Sequence, residues 1–364
     1  MTYPEIDPRR VTALVVGIEE YAAGESWRLP GPADDAVRFH GWLRERGVPE
    51  ANILLHLAPA EGHRPAMAHR PADQAALHHT LTDEIPSLEG DFLWVWWGGH
   101  GVLDQDERIR LYYADATAQG RRNLDLDSAC RLLASDAVTG FERQSWIVDA
   151  CQTFDERHGF PRTLDTEKLG AGARTTVHEQ ALLLAASRGE RAANDPVLRS
   201  GVFSRLVQDE LDRAGTGVAL DPERLFAAVL TRVEQEIWAP GRSGQLPTLI
   251  IKRPGQERTL GPPAARRQGP GALSALGRVA DALLDYPFTH SSDERQTLVL
   301  LLDPRLTARM RRNPAPRPDL VAIVSAHGRR ADALWTLYEA VTSLDDDPER
   351  ATELAASITE LIDS

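Results

Sequence analysis

The chain has 364 residues, 42% of them hydrophobic and 26% charged, which is ordinary globular composition with room for two domains. Its formal charge of −13 excludes the basic footprint of a general nucleic-acid binder. No apolar run approaches the roughly 20 residues that cross a bilayer, so no membrane partner is expected.

Val11 to Ile18 reads as a first buried strand. Pro32 to Arg46 reads as a helix with Ala36, Phe39 and Leu43 on one face and Gly47 at its C′ stop. Asn52 to Leu57 is a second strand, and Pro71 is expected to open a helix through Leu77 and Leu81 to Ile85. Phe92 to Trp97 is the third strand, Leu111-Tyr112-Tyr113 a small hairpin or edge element, and Ser145 to Val148 the fourth. Gln152 to Gln180 is polar and without period, and is expected to be a flexible loop. Ala181 to Ala186 is the fifth strand, Val202 to Leu211 and Pro222 to Ile237 are helical, and Thr248 to Ile251 is the sixth strand. Strands alternating with helices predict a six-stranded, mostly parallel α/β sheet flanked by helices.

From Lys252 the composition shifts to Pro, Gly and Arg, and residues 254–270 read as a linker after a domain spanning 1–253. Residues 271–364 then form a small all-α domain. Its helices are marked by Leu273, Leu276, Ala280 and Leu283, by Leu298 to Leu302 with Leu306 and Met310, by Leu320, Ile323 and Val324, and by Leu334, Leu337 and Val341. The last opens at Asp347-Pro348-Glu349, an N-cap with Pro at N1.

Two apolar runs end in reactive side chains. Trp94-Val95-Trp96-Trp97 leads to Gly98-Gly99-His100-Gly101, and Trp146-Ile147-Val148 leads to Asp149-Ala150-Cys151. In an open α/β sheet the ligand crevice lies past the carboxyl ends of the strands, so His100 and Cys151 are expected to meet at one edge. A thiolate beside an imidazole is a nucleophile with its base. Cys130, in the short helical pattern Asp127 to Leu133, reads as core filler. Met1 to Glu5 has neither a basic region nor an apolar core, and the thiols have to stay reduced, so the expected location is the cytoplasm.

The ordered set Ala13 to Ile18, Leu29-Pro30-Gly31-Pro32-Ala33-Asp34-Asp35-Ala36, Gly99-His100-Gly101, Asp149-Ala150-Cys151, Ala185 to Glu190 and Gly201-Val202-Phe203 resembles the caspase and metacaspase superfamily of cysteine peptidases over residues 10–253. The resemblance implies a caspase-like sheet, His100 as general base and acid, and Cys151 as nucleophile. It implies an oxyanion hole from the backbone N–H groups of Gly101 and Cys151. It also places Asp149 and Asp35 as acids of the pocket for the residue before the cut bond, with Gly98 on the pocket wall. Two carboxylates suit a guanidinium, so cleavage of protein or peptide substrates after Arg, then Lys, is expected. The alternative for these acids is structural: Asp35 capping its helix and Asp149 buried and hydrogen-bonded. The chemistry calls for no cofactor. Calcium activation belongs to the resemblance, but Asp104, Asp106, Asp115, Asp125 and Asp127 form no compact calcium loop and read as solvated acids.

Val279 to Pro287, Asp293 to Gln296, Asp319 to Val324 and Ala333-Leu334-Trp335 resemble bacterial effector-associated domains over residues 271–362. That resemblance implies a recruiting adaptor, pairing with a similar helical domain on a partner, and a role in bacterial defence or signalling. An Arg-specific enzyme could also cut its own chain at Arg253, Arg258, Arg266 or Arg267, although arginines also simply keep a linker solvated. Two rival readings remain at this point. One is a catalytically silent scaffold on the caspase fold, against which the intact His100 and Cys151 pair stands. The other is an acyl-transfer enzyme such as a peptide ligase.

Overall fold

A computed structural model of the chain describes residues 5–63, 65–104, 106, 108–152, 164–187, 192–195, 197–215, 217–236, 246–261, 272–302, 312–313, 315–327 and 330–363. The chain divides into two compact units, residues 1–262 and 263–364.

The first unit carries strands β1 (Val11–Ile18), β2 (Ile53–Ala58), β3 (Arg70–Pro71), β4 (Phe92–Gly98), β5 (Gly101–Leu103), β6 (Ile109–Tyr112), β7 (Arg122–Asp125), β8 (Arg143–Asp149), β9 (Asp165–Glu167), β10 (Glu179–Leu184), β11 (Asn194–Asp195), β12 (Ser200–Gly201), β13 (Thr248–Arg253) and β14 (Gln256–Leu260). The main sheet has eight strands in the order β14-β13-β10-β8-β4-β1-β2-β3. From β10 across to β3 every pairing is parallel, whereas β13 and β14 run antiparallel. The expected six-stranded, mostly parallel sheet is therefore corrected to an eight-stranded mixed one.

Each extra strand was hidden for a physical reason. β3 is two exposed residues at an edge, where Pro71 needs no N–H for a ladder, and the helix expected from Pro71 begins instead at Gln74. Asp73 caps that helix, its Oδ1 accepting the Ala76 N–H at 2.9 Å. β14 is exposed and polar, so it reads as linker, but it closes a hairpin on β13 through Pro254-Gly255, with Gly255 at φ +70°. Arg253 and Arg258, proposed as exposed linker sites, lie in that hairpin and pair with Glu179 and Glu223. Arg266 and Arg267 lie outside the described residues.

The central strands are buried at every position because helices cover both faces. Alternation divides β4 between the faces. Trp94 and Trp96 enter one core with Phe39, Trp42 and Phe203, while Val95 and Trp97 enter the other with Leu77, Leu133 and Trp146. Helix α1 (Pro32–Glu45) lays Phe39 flat on Trp96, with ring centroids 4.7 Å apart. Each such ring contributes about 2–3 kcal/mol by leaving water. Gly47 at φ +87° ends this helix as expected.

A second sheet of four strands, in the order β5-β6-β7-β9, grows from the residue after His100. The element expected around Leu111 thus begins as β6, an inner strand. The stretch expected to be a flexible loop is ordered over residues 164–180. There β9 pairs with β7, Leu169 is buried, and Glu167 accepts from the Tyr113 hydroxyl and holds His78 at 2.7 Å. Residues 153–163 lie outside the described set.

The second unit has helices Ala272–Leu284, Ser292–Leu300, Pro316–His327, Ala331–Leu344 and Pro348–Asp363. Their apolar stripes converge on Leu283, Leu298, Leu320, Val324, Leu334, Leu337, Val341, Leu354 and Ile358. Asp347 caps the last helix, its Oδ1 accepting from the N–H groups of Glu349 and Arg350 at 3.0 and 3.1 Å. Leu306 and Met310, expected to extend the second helix, lie outside the described residues. Within this core Arg295 is fully buried and donates to Asp319 at 2.9 Å.

Candidate active site

Strands β4 and β8 are neighbours in register Gly98 to Asp149, so the residues just past them emerge side by side. The Gly99 N–H donates to the Asp149 carbonyl at 3.1 Å. A Cβ on Gly99 would lie 2.7 Å from the Tyr21 hydroxyl, and one on Gly101 would lie 2.8 Å from the Cys151 carbonyl oxygen. Only glycine lets these backbones pass so closely. Two residues beyond the register pair, His100 and Cys151 therefore share one sheet edge, as expected.

His100 is held from three sides. Its backbone N–H donates to the Tyr21 hydroxyl at 2.7 Å. Its ring lies 4.9 Å from that of Tyr21 and 5.8 Å from that of Trp27, centroid to centroid. Its Nε2 is 2.8 Å from the Trp27 carbonyl oxygen. A carbonyl only accepts, so Nε2 carries a hydrogen, and in the neutral ring the lone pair then belongs to Nδ1. The backbone of the loop after β1 thus favours, in the neutral ring, the tautomer suited to a base acting through Nδ1.

Cys151 is partly buried, and its Sγ lies 3.9 Å from the Ala192 carbonyl oxygen. Cys130 differs: it is 1% exposed, and burial pushes its thiol up to about 12, which keeps it protonated. Gly101 forms a residue pair with Leu111 in the β5–β6 ladder, while the flanking Tyr112 N–H donates to the His100 carbonyl. Gly101 is therefore at a non-hydrogen-bonded position, and its N–H turns away from β6.

Asp149 and Asp35 come together under residues 200–204. Asp149 is 6% exposed. Its Oδ2 accepts from the Ser204 hydroxyl at 2.7 Å and the Ser204 N–H at 3.1 Å, while its Oδ1 has no hydrogen-bond partner among the described residues. Burial first, and the Asp35 charge after it, push the Asp149 carboxyl up to about 7 against the pull of Ser204. Asp35 is 1% exposed and accepts from the Ser200 hydroxyl and the Gly201 N–H, each at 2.7 Å, and from Arg38. It makes these bonds to a distant segment while Gly31 occupies the N-cap position of α1, so its side chain is not a helix cap. Burial raises its carboxyl, and Ser200, Gly201 and Arg38 counter that rise. Gly98 lies under the start of the same helix, where a Cβ would come 3.1 Å from Pro32.

Of the five acids considered for calcium, four are paired, and Asp125 is buried rather than solvated, while Asp106 is exposed. Asp104 and Asp125 both pair with buried Arg110, Asp115 pairs with Arg122 at 2.6 Å, and Asp127 pairs with Arg131 and Lys252 at 2.6 and 3.2 Å. Among the described residues no group of three or more ligating side chains forms a metal site.

Reasoning from sequence missed Tyr21, Trp27, Glu19, Arg38, Arg199 and Ser204. Tyr21 and Trp27 carried a usable signal, being aromatic residues in the loop past a strand's carboxyl end, where the crevice lies. Ser204 was one residue past a quoted motif.

Residues 280–358 match the family model described as effector-associated domain 2. The chain is similar to the crystal structure of caspase-1 from Spodoptera frugiperda, at 16% identity and a TM-score of 0.45, covering 69% of this chain and 89% of that one. No curated protein matches the sequence. In the described residues no helix is long and apolar enough to cross a membrane. The C-terminal unit is thus similar to effector-associated domain 2, as the residue pattern of its helices implied.

Proposed function

We propose that the chain is a cysteine endopeptidase that cleaves protein or peptide substrates after Arg, then Lys. The observation that supports this reading is the placement of His100 and Cys151 just past adjacent strands, with Nε2 of His100 2.8 Å from the Trp27 carbonyl oxygen. Nδ1 of His100 takes the proton from the Cys151 thiol, and the thiolate attacks the scissile carbonyl. The N–H groups of Gly101 and Cys151 receive the developing oxyanion. The imidazolium then gives its proton to the leaving amine, and a water activated by Nδ1 hydrolyses the thioester.

Specificity rests on Asp149. A buried carboxylate oxygen without a partner is costly, and a substrate guanidinium or ammonium supplies the missing donor. Asp35 supports the same charge from one side and Gly98 leaves room on the pocket wall.

The effector-associated match supports a recruiting role for residues 263–364. In this reading the domain pairs with a similar helical domain on a partner, and the enzyme acts in the cytoplasm as a bacterial defence or signalling effector. The test is cleavage of fluorogenic peptides that differ only in the residue before the cut. Turnover after Arg that vanishes in Cys151→Ala supports the reading, and turnover after Asp overturns the pocket assignment.

A further inference from the structure

Described residues from Ala192 to Ser204 touch Cys151 and both acids of the candidate pocket. The Ala192 carbonyl oxygen sits 3.9 Å from Sγ of Cys151. The Asn194 amide donates to the Pro30 carbonyl at 2.9 Å, and Asn194 and Asp195 pair with Gly201 and Ser200 as a short hairpin. Ser200 and Gly201 donate to Asp35, and Ser204 donates to Asp149. Val197 and Leu198, in the middle of this segment, are 88% and 60% exposed, so apolar burial anchors its end at Phe203 but not this part.

What holds it, beside these hydrogen bonds, is charge. Arg199 places its Nη2 at 2.8 and 3.0 Å from the two carboxylate oxygens of Glu19 and its Nε at 2.8 Å from Asp34. Glu19 is fully buried. Arg199 does this at φ +47°, in the left-handed region that a non-glycine residue avoids. Arg38 adds a second clamp, reaching the Ser200 hydroxyl at 2.7 Å while it pairs with Asp35. A strained residue persists only where its surroundings over-determine it, and here the surroundings are two carboxylates.

We infer that the described residues of the 192–201 segment are an autoinhibitory latch, closed over Cys151 and the acidic pocket by the Arg199 ion pairs with Glu19 and Asp34. The latch deepens the peptidase reading, since it states how that site is regulated. It fills with the chain's own guanidinium groups an acidic rim to which a basic substrate would be drawn. A basic substrate or partner segment opens the latch by competing for Glu19 and Asp34.

The test is the rate at which iodoacetamide alkylates Cys151 in the full chain, read by mass spectrometry, with buried Cys130 as the internal reference. Alkylation needs no peptidase activity, so the latch and the peptidase reading can fail separately. Arg199→Ala is expected to raise the Cys151 rate about tenfold, the order of a lost charge-assisted bond. Asp34→Asn, which leaves buried Glu19 paired, is expected to raise it about threefold and guards against a folding defect in the first variant. Raised salt is expected to speed the wild type toward the variants. Faster alkylation without peptide turnover keeps the latch and sinks the peptidase. Unchanged alkylation in both variants, with Cys130 still protected, overturns the latch whatever the turnover.

Discussion

In the proposed reading, Asp149 is the residue on which specificity and stability pull in opposite directions. Its carboxyl is moved from the ordinary 3.8 to about 7, chiefly by burial. At about 1.4 kcal/mol for each tenfold change in proton affinity, the ionised form costs the fold about 4 kcal/mol. The sign follows from linkage. Between about pH 4 and pH 7 the folded chain holds a proton that the unfolded chain has released, so stability falls as pH rises through that window and levels off above it. Asp149→Asn keeps an oxygen for the two Ser204 donors and removes the titration. Its stability relative to wild type is therefore expected to rise by about 3 kcal/mol between about pH 5 and about pH 8, whatever fixed offset the new amide brings. Urea unfolding of both proteins at the two pH values reads this difference directly. In the same variant, turnover after Arg is expected to fall by about a hundredfold or more, since a charge-assisted bond is lost. A difference in stability that does not change with pH would refute the argument, because it would mean that Asp149 titrates alike in the folded and unfolded chains.

Four further outcomes follow from the geometry. His100→Ala is expected to lower turnover about a thousandfold or more, without loss of the folded state in circular dichroism. Gly201→Ala is expected to destabilise by about 2–3 kcal/mol in urea unfolding, because a Cβ there would lie 2.0 Å from the Asp149 carboxylate. Arg38→Ala removes a half-exposed guanidinium from buried Asp35 and is expected to cost about 1 kcal/mol in the same measurement. Arg295→Ala takes from buried Asp319 one of two guanidinium groups, Arg312 remaining paired with it at 2.7 Å, and empties a fully buried site in the helical unit. It is expected to cost about 2–3 kcal/mol, read as a lower midpoint in the helical unit's thermal melting.

The parts of this molecule that announce themselves in sequence are those where one period or one residue type dominates. β1 and β4 are apolar at nearly every position because both faces are covered, and His100 and Cys151 stand just past β4 and β8. The helical stripes of the second unit pack as the spacing of Leu298, Leu320, Leu334 and Leu354 suggests. What stayed hidden depends on pairing across long separations. β14 looks like a linker because its side chains face water, and only its ladder to β13 makes it a strand. Strand direction has no side-chain signature, so the antiparallel edge could not be read. Arg295 and Asp319 each lay in a stretch that suggested the effector-associated family, yet nothing in their spacing says that they meet. The same holds for Arg199 and Glu19, 180 positions apart, whose pairing shapes the rim of the candidate site.

The central claim is tested most directly by turnover of a peptide panel that varies only the residue before the cut among Arg, Lys, Asp and Leu. The panel is run for the full chain and for Cys151→Ala, with and without calcium. The account predicts cleavage after Arg, weaker cleavage after Lys, and none in Cys151→Ala. Cleavage after Asp or Leu, or turnover that survives Cys151→Ala, would contradict it.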